Sequence, residues 1–326
     1  MRTNFFNNAA VAVAISAFAA CFPVQAAEVS VSALFTQKIS EGSFDPPGYL
    51  GFTTMAKKHG WKSNYAEQAT FDKAPEILAD FASRGSSLVI AHSSGYASSV
   101  LETAPNFPKT TFSVVSALAS TKGLPNVNGW AFRFNEIGFL AGVSAGLSTK
   151  SNKVGVVGGD TVPAIVQGVG GYIDGVKYVN PKAEVIVSWV GSFTDAAKAK
   201  QLTLAQISQG VDVVLPWSNT ADQGVFEAVK EKKVGTIGLY GDLHLRAPTE
   251  IITSVLLDFP SVYAEIGRLY AEKKLEAKIY PLAVKDGFIK LAPIRNTAPE
   301  VEQRIQSVVA DVTSGKLVIP ISTYKP

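Results

Sequence analysis

The sequence predicts an α/β protein of two lobes packed side by side, each built on a parallel sheet. Three observations carry this. Apolar, β-branched runs alternate with amphipathic helical runs along almost the whole chain. The strand segments are near-continuous in Val, Ile and Leu, as strands buried on both faces must be. The alternation also runs through two successive series with no Pro/Ser-rich linker between them, and 326 residues suffice for two cores.

In the first series, residues 29–34 read as a strand and 48–59 as a helix. Residues 62–66 form the next strand. A helix over 75–83 starts on Pro75 and stops before Gly85, the positions where each residue fits a helix end. A strand over 88–91, a helix over 98–104 and strands over 111–115 and 129–134 complete the series. The second opens with a helix over 137–149 whose one face is small. It continues with a strand at 153–157, a helix at 163–178 behind Pro163, a strand at 184–189 and a helix at 196–209. The segments 211–215, 225–232 and 236–239 prolong the rhythm, and 251–257 is a further apolar run. Residues 283–285 and 288–291 flank Asp286-Gly287, a two-residue hairpin signal. A helix over 299–313 follows.

The first residues, MRTNFFNNAAVAVAISAFAACFPVQAAEVS, read as a secretory signal over 1–26. Arg2 supplies a short basic region, the apolar run over 9–20 is too short to span a bilayer, and Val24-Gln25-Ala26 suits cleavage after Ala26. Phe18-Ala19-Ala20-Cys21 also resembles a lipoprotein box, so a periplasmic protein and a lipid-anchored one are both compatible. Cys21 is the single cysteine; without disulfides the exported chain relies on its core, which suits the bacterial periplasm. The formal charge of +3 is small and scattered and points to no nucleic-acid partner.

The stretch KVGVVGGDTVP, residues 153–163, has the outline of a strand-to-helix phosphate turn. Its glycines do not form G-x-G-x-x-G, no G-K-[ST] follows, and an exported protein has no evident dinucleotide supply, so no cofactor is expected. Open parallel sheets bind ligands beyond the carboxyl ends of their strands. The residues there are Phe44 and Asp45, then His92, Ser93, Ser94 and Tyr96, in the first series. In the second they are Asp160, Phe193, Trp217, Asn219, Tyr240 and Asp242, with Asp258 after the last apolar run. Aromatic rings and hydrogen-bonding side chains thus recur at matching places, which suits a flat heteroaromatic ligand. Each has a structural reading: Phe193 as core, Asp195 and Asp160 as helix caps, His92 as a hydrogen-bonded strut. Three histidines without metal spacing, no free cysteine partner and no G-x-S-x-G elbow leave little for an enzyme; a secreted α/β hydrolase is the rival reading.

The order EGSFDPPGYLG, LVIAHSSGYASSV, FNEIGFLAGVSAGLSTKSNKVGVVGGDTVP, VGSFTDAAKAK, QGVDVV and IGLYGDL resembles the basic-membrane-protein (Med/PnrA-like) family. Its members are type I periplasmic solute-binding proteins of ABC importers. The resemblance implies two Rossmann-like lobes joined by three crossings, with the ligand in the cleft between them. The expected division is 27–134 plus 251–277 for lobe 1 and 135–250 plus 278–326 for lobe 2. It further implies a protein without catalysis that delivers a purine-like small molecule to an inner-membrane ABC permease; a monomer is the default for a protein that must open and close against its permease. A sensor feeding a receptor kinase uses the same clamshell.

The resemblance also marks departures. Nucleoside-binding members carry an Asp that holds the ribose where this chain has Tyr240, and Asp242 matches the second Asp of that run. A Lys usual after T-S-[MV] is absent: Thr253-Ser254-Val255 leads to Leu256-Leu257-Asp258. Asp45 stands where Asn is usual. The resemblance implies a purine nucleoside, a purine base or, as in some branches, a flavin-type vitamin as ligand, and these departures favour a base, or another small aromatic, over an intact nucleoside. The expected ligand contacts are Phe44, Asp45, Ser93, Ser94, Tyr96, Asp160, Trp217, Asn219, Tyr240 and Asp242.

Overall fold

The computed structural model describes residue 1 and residues 28–116 and 119–326. The expected export signal and Cys21 lie outside them. The first lobe begins β1 (Ser30–Phe35), α1 (Asp45–His59), β2 (Lys62–Ala66), α2 (Ala74–Ser83), β3 (Leu88–His92), α3 (Ala97–Thr103), β4 (Thr111–Ser116) and β5 (Val127–Phe132). The chain crosses into α4 (Phe134–Ser148), β6 (Lys153–Gly158), α5 (Pro163–Val179), β7 (Glu184–Trp189), α6 (Ala196–Ser208), β8 (Val213–Trp217), α7 (Asp222–Lys232), β9 (Gly235–Tyr240) and β10 (Ile251–Leu257). It returns through α8 (Phe259–Ala271) and β11 (Ile279–Leu282), then crosses again to β12 (Ile289–Leu291) and α9 (Pro299–Thr313).

Two six-stranded sheets result, ordered β11-β5-β4-β3-β1-β2 and β12-β10-β9-β8-β6-β7. Every pairing is parallel except β10 with β12. The predicted α/β class and the two parallel-sheet lobes are therefore what the chain forms. The predicted hairpin is not. Asp286-Gly287 does turn the chain, with Gly287 left-handed at φ 78° and the Phe288 amide donating to the Ala283 carbonyl at 3.3 Å. Residues 283–285, however, form no strand; the strand before the turn, β11, pairs with β5 and the one after it, β12, pairs with β10 in the other sheet. The turn chemistry was local and readable; the ladder partner was a tertiary choice.

The same choice moves the lobe boundary. β10, expected with lobe 1, pairs with β9 in the second sheet, and β11, expected with lobe 2, pairs with β5 in the first. The three crossings fall at 132–134, 257–259 and 282–289. They are tied to one another: the Arg133 amide donates to the Leu282 carbonyl at 3.0 Å and the Asp258 amide to the Phe288 carbonyl at 2.9 Å. Buried Glu136 accepts the Val284 amide at 2.8 Å.

α4 is buried on thirteen of its fifteen residues, because glycine lets α5 approach to backbone contact. A Cβ on Gly142 would lie 2.1 Å from the Tyr172 carbonyl oxygen, and one on Gly175 would lie 2.2 Å from that of Phe139. Small residues on both helices are what allow this closeness, and the buried pair forms a stiff floor under the second lobe. Among the described residues no helix is long and apolar enough to cross a membrane.

Candidate functional site

In each sheet the strand order reverses once: β1 lies between β2 and β3, and β6 between β7 and β8. Loops on either side of such a reversal splay apart and leave a crevice at the strands' carboxyl ends. Register aligns those ends, Phe35 with His92 and Gly158 with both Trp189 and Trp217. The two crevices face each other and enclose one cavity of about 590 Å³, within the range of about 300–1,000 Å³ usual for small-molecule sites.

From the first lobe come Thr36, Gln37, Phe44, Phe71, Ser93, Ser94 and Ser116. Asp45 lies behind this wall, not on it. Its carboxylate accepts the Thr36 hydroxyl at 2.8 Å, the Thr36 amide at 3.3 Å and the Gln37 amide at 3.1 Å. Burial pushes its pKa up to about 6, while the hydrogen bonds from Thr36 and Gln37 pull the other way. Tyr96 is also behind the wall, donating to the Ala69 carbonyl at 2.6 Å and so anchoring the loop that presents Phe71. The Phe71 ring covers Gly95, where a Cβ would lie 2.3 Å from it, and it remains 51% exposed at the cavity mouth.

His92 is a strut. Its Nε2 bonds the Phe44 carbonyl at 3.1 Å and its Nδ1 meets the Tyr263 hydroxyl at 2.9 Å. A carbonyl can only accept, so Nε2 carries the proton and Tyr263 donates to Nδ1. Burial holds the ring neutral, with its pKa lowered to about 4. Gly48 leaves room for it, since a Cβ there would come within 2.3 Å of the ring. The reading of His92 as structural matches this geometry.

The second lobe contributes Val162 to Ile165 at the start of α5, with Phe134, Phe193, Trp217, Asn219 and Tyr240. Phe193, read from the sequence as core, lines the cavity instead, because Gly159 lets its ring lie across the end of β6. Trp217 sits over Gly168 of α5 and donates from Nε1 to the Tyr240 hydroxyl oxygen at 2.6 Å. Phe134 lies nearly parallel to it, at 21° with 6.5 Å between centroids. Phe44 meets Tyr240 edge-on across the lobes at 5.5 Å, and the Thr220 hydroxyl donates across the same gap to Gln37 Oε1 at 2.6 Å. The lobes are closed on each other.

Besides Asp45 and Tyr96, two more of the expected contacts, Asp160 and Asp242, lie outside the cavity wall. Asp160 accepts the neighbouring Thr161 amide at 2.7 Å and is exposed. Asp242 is paired with Arg295 at 3.0 Å and accepts the His244 amide. Asp258 caps α8 through the Ser261 amide at 3.1 Å, and Asp195 caps α6 through the Lys198 amide at 2.9 Å. A further buried carboxylate, Asp222 at the start of α7, accepts the Ser218 amide and hydroxyl at 2.6 and 2.7 Å. Burial raises its pKa to about 7, against the pull of those bonds. No residue lining the cavity among those described carries a charge.

Thr36, Gln37, Phe71, Phe134 and the α5 entrance were not read as site from the sequence. Thr36 and Gln37 follow β1 directly, so the strand-end rule reaches them once the strand is taken to Phe35. Phe134, the expected end of a strand over 129–134, instead stands on a crossing at the start of α4. Phe71 carries no local signal; only the fold brings its loop to the mouth.

A family model for PnrA-like ABC transporter substrate-binding proteins, Bmp, matches residues 28–322. The chain belongs to the Bmp family. Among its relatives are a purine-binding protein of Brucella abortus, 26% identical over 286 residues, spanning 83% of this chain and 79% of that protein. An ABC transporter nucleoside-binding protein of Lactococcus lactis is 29% identical over 239 residues, spanning 67% and 66%. Solute-binding proteins of ABC transporter systems from Aeropyrum pernix and Conexibacter woesei share the fold. Their TM-scores are 0.79 and 0.74 at 20% and 24% identity, with 90% of this chain covered in both and 94% and 99% of theirs. As a Bmp protein the chain is an ABC transporter substrate-binding protein; such proteins bind small molecules and work with membrane permease components.

Proposed function

We propose that this Bmp protein captures a small, planar, uncharged heterocycle, most closely a purine base, in the bacterial periplasm and hands it to an inner-membrane ABC permease without transforming it. The observation that carries this reading is the cavity: rings from both lobes around a space with no charged wall. Phe44, Phe71, Phe193 and Trp217 supply ring faces and edges. Ser93, Ser94, Asn219 and Tyr240 supply polar contacts, while Asp45 and Tyr96 support the wall from behind. A ribose diol calls for carboxylate partners, yet Asp45, Asp222 and Asp242 are all engaged elsewhere. A base therefore fits better than a nucleoside. Two relatives, a purine-binding protein and a nucleoside-binding protein, bracket the same chemical class. The two-lobe closure fits a monomer that opens and shuts around its solute.

Native mass spectrometry of protein purified without added solute, followed by calorimetric titration with bases and nucleosides, tests this. Saturable one-to-one binding without product supports the reading. Failure of every planar heterocycle to bind, or catalytic turnover of one, overturns it.

A further inference from the structure

The crossings place the hinge at one edge of each sheet. They involve β5 and β11 in the first sheet and β10 and β12 in the second, while β2 and β7 lie at the opposite edges, four strands away from β5 and β10. At about 4.8 Å per strand that lever is about 20 Å long. Any opening about the crossings therefore moves the loops after β2 and β7, residues 67–73 and 190–195, the furthest. Both rims are braced. In lobe 1 the Ile39 amide donates to Glu67 at 2.9 Å and the Gln68 amide to the Gln37 carbonyl at 3.2 Å. In lobe 2 the Val190 amide donates to the Gly158 carbonyl at 2.8 Å and the Ala221 amide to the Phe193 carbonyl at 3.0 Å.

Two properties mark this rim. Exposed apolar side chains gather on its lobe 1 side, where Leu50, Tyr65 and Phe71 are 58%, 40% and 51% exposed. The Tyr65 ring of β2 meets that of Tyr49 at 5.0 Å, which brings this part of α1, with Leu50, alongside β2; Phe71 stands at the cavity mouth. Charge is the other property. The loops after β1, β2, β6 and β7 (36–44, 67–73, 159–162 and 190–195) carry the carboxylates Glu41, Glu67, Asp72, Asp160 and Asp195 against only Lys38 and Lys73, in a chain whose formal charge is +3. Lys38 is spent on Glu41 at 3.0 Å. Asp72 and Asp160 are exposed, one on each lobe, and among the described residues neither is held in an ion pair.

We propose that this acidic, ring-bearing rim is the surface on which the permease docks: carboxylates of both lobes meet basic side chains on its periplasmic face, and Leu50, Tyr65 and Phe71 seat its apolar ones. The inference rests on the transport reading and adds the chemistry of the partner. Opposite charge steers the encounter, and an exposed aromatic cluster supplies the contact area. Because Asp72 and Asp160 ride on different lobes toward the far end of the lever, both fit one fixed partner surface at a single lobe separation. Docking so arranged distinguishes the closed protein from the open one, with the cavity mouth turned to the permease.

The test is photo-crosslinking in cells of the protein's own host. The full chain carries a benzophenone amino acid in place of Leu50 or Tyr65 at the rim, or in place of Tyr178, which is 52% exposed at the far end of α5. Adducts are identified by peptide mass spectrometry. Both rim positions are expected to capture an ABC permease subunit, and position 178 none. Asp72→Lys/Asp160→Lys is expected to cut the rim adduct about three- to tenfold, the scale of two exposed ion pairs, and Asp72→Asn/Asp160→Asn to cut it by less. Neither residue lines the cavity, so calorimetric titration with hypoxanthine should return the parent's affinity for both pairs. Should the reversed pair fail to fold, the Asn pair, which keeps an acceptor at each site, carries the comparison. The proposal is overturned if position 178 captures the permease as well as the rim does, if neither rim position captures it, or if charge reversal and neutralisation both leave the adduct undiminished. If hypoxanthine does not bind the parent while the rim adduct forms and weakens with lost charge, the docking surface stands and the heterocycle reading falls.

Discussion

Gly168→Ala tests the wall of the cavity from behind, because two effects of known size oppose each other there. Gly168 lies inside α5, where alanine is favoured over glycine by about 1 kcal/mol on helix propensity alone. Were the position open, the substitution would stabilise the protein. A Cβ at Gly168 would instead lie 2.1 Å from the Trp217 ring. The indole cannot swing aside cheaply: it is buried, stacked near Phe134 and bound through Nε1 to Tyr240 at 2.6 Å. Overpacking of this kind costs about 1–3 kcal/mol, and disturbing the Trp217–Tyr240 bond adds about 1 kcal/mol. The expected net effect is a loss of about 1–3 kcal/mol, read as a fall in melting temperature of roughly 2–8 °C for a chain this long. Affinity should fall too, because the displaced ring intrudes on the site. Thermal unfolding and calorimetric titration of the same preparation measure both. A variant that melts higher than the parent and binds as well would refute the argument, for then Trp217 is not wedged between Gly168 and Tyr240.

Other consequences follow from the same contacts. Gly142→Ala drives a Cβ to 2.1 Å from a backbone oxygen of α5, which cannot yield like a side chain. It should cost at least about 2 kcal/mol by thermal or urea unfolding with little specific change in ligand preference. Asp222 and Asp45 have folded-state pKa values raised to about 7 and about 6. The native state therefore holds extra protons, and their contribution to stability diminishes as pH rises from about 4 toward 7. Asp222→Asn, which keeps an acceptor for Ser218, should raise stability by on the order of 2 kcal/mol at pH 8 and by much less at pH 4; equal shifts at both values would contradict burial as the cause. Thr220→Val removes the cross-lobe bond to Gln37 and should weaken binding by about two- to tenfold through the open–closed equilibrium. Small-angle scattering of the unliganded variant should show a larger radius of gyration than the parent.

The alternation of apolar strands and amphipathic helices, read residue by residue, determined the α/β class, the two parallel-sheet lobes and most of the strand ends at which the cavity opens. Phe44, Ser93, Ser94, Trp217, Asn219 and Tyr240 were legible for that reason: a parallel strand delivers the residue after it to one predictable edge. Caps such as Asp195 were legible because they depend on the next three residues only. Sheet membership was decided elsewhere. β10, β11 and β12 are short apolar segments that would serve either sheet, and which ladder each joins depends on the crossings that bring it there. The carboxylates divide in the same way. Asp45, Asp160 and Asp242 all follow strands in sequence, but whether a carboxylate faces a ligand, its own loop or Arg295 depends on partners far along the chain. Phe71 and Phe134 became cavity walls only through packing, since an aromatic ring carries no local mark of whether it fills a core or a cleft. Local chemistry sets each element and its end; only the closing of two lobes sets which ends meet.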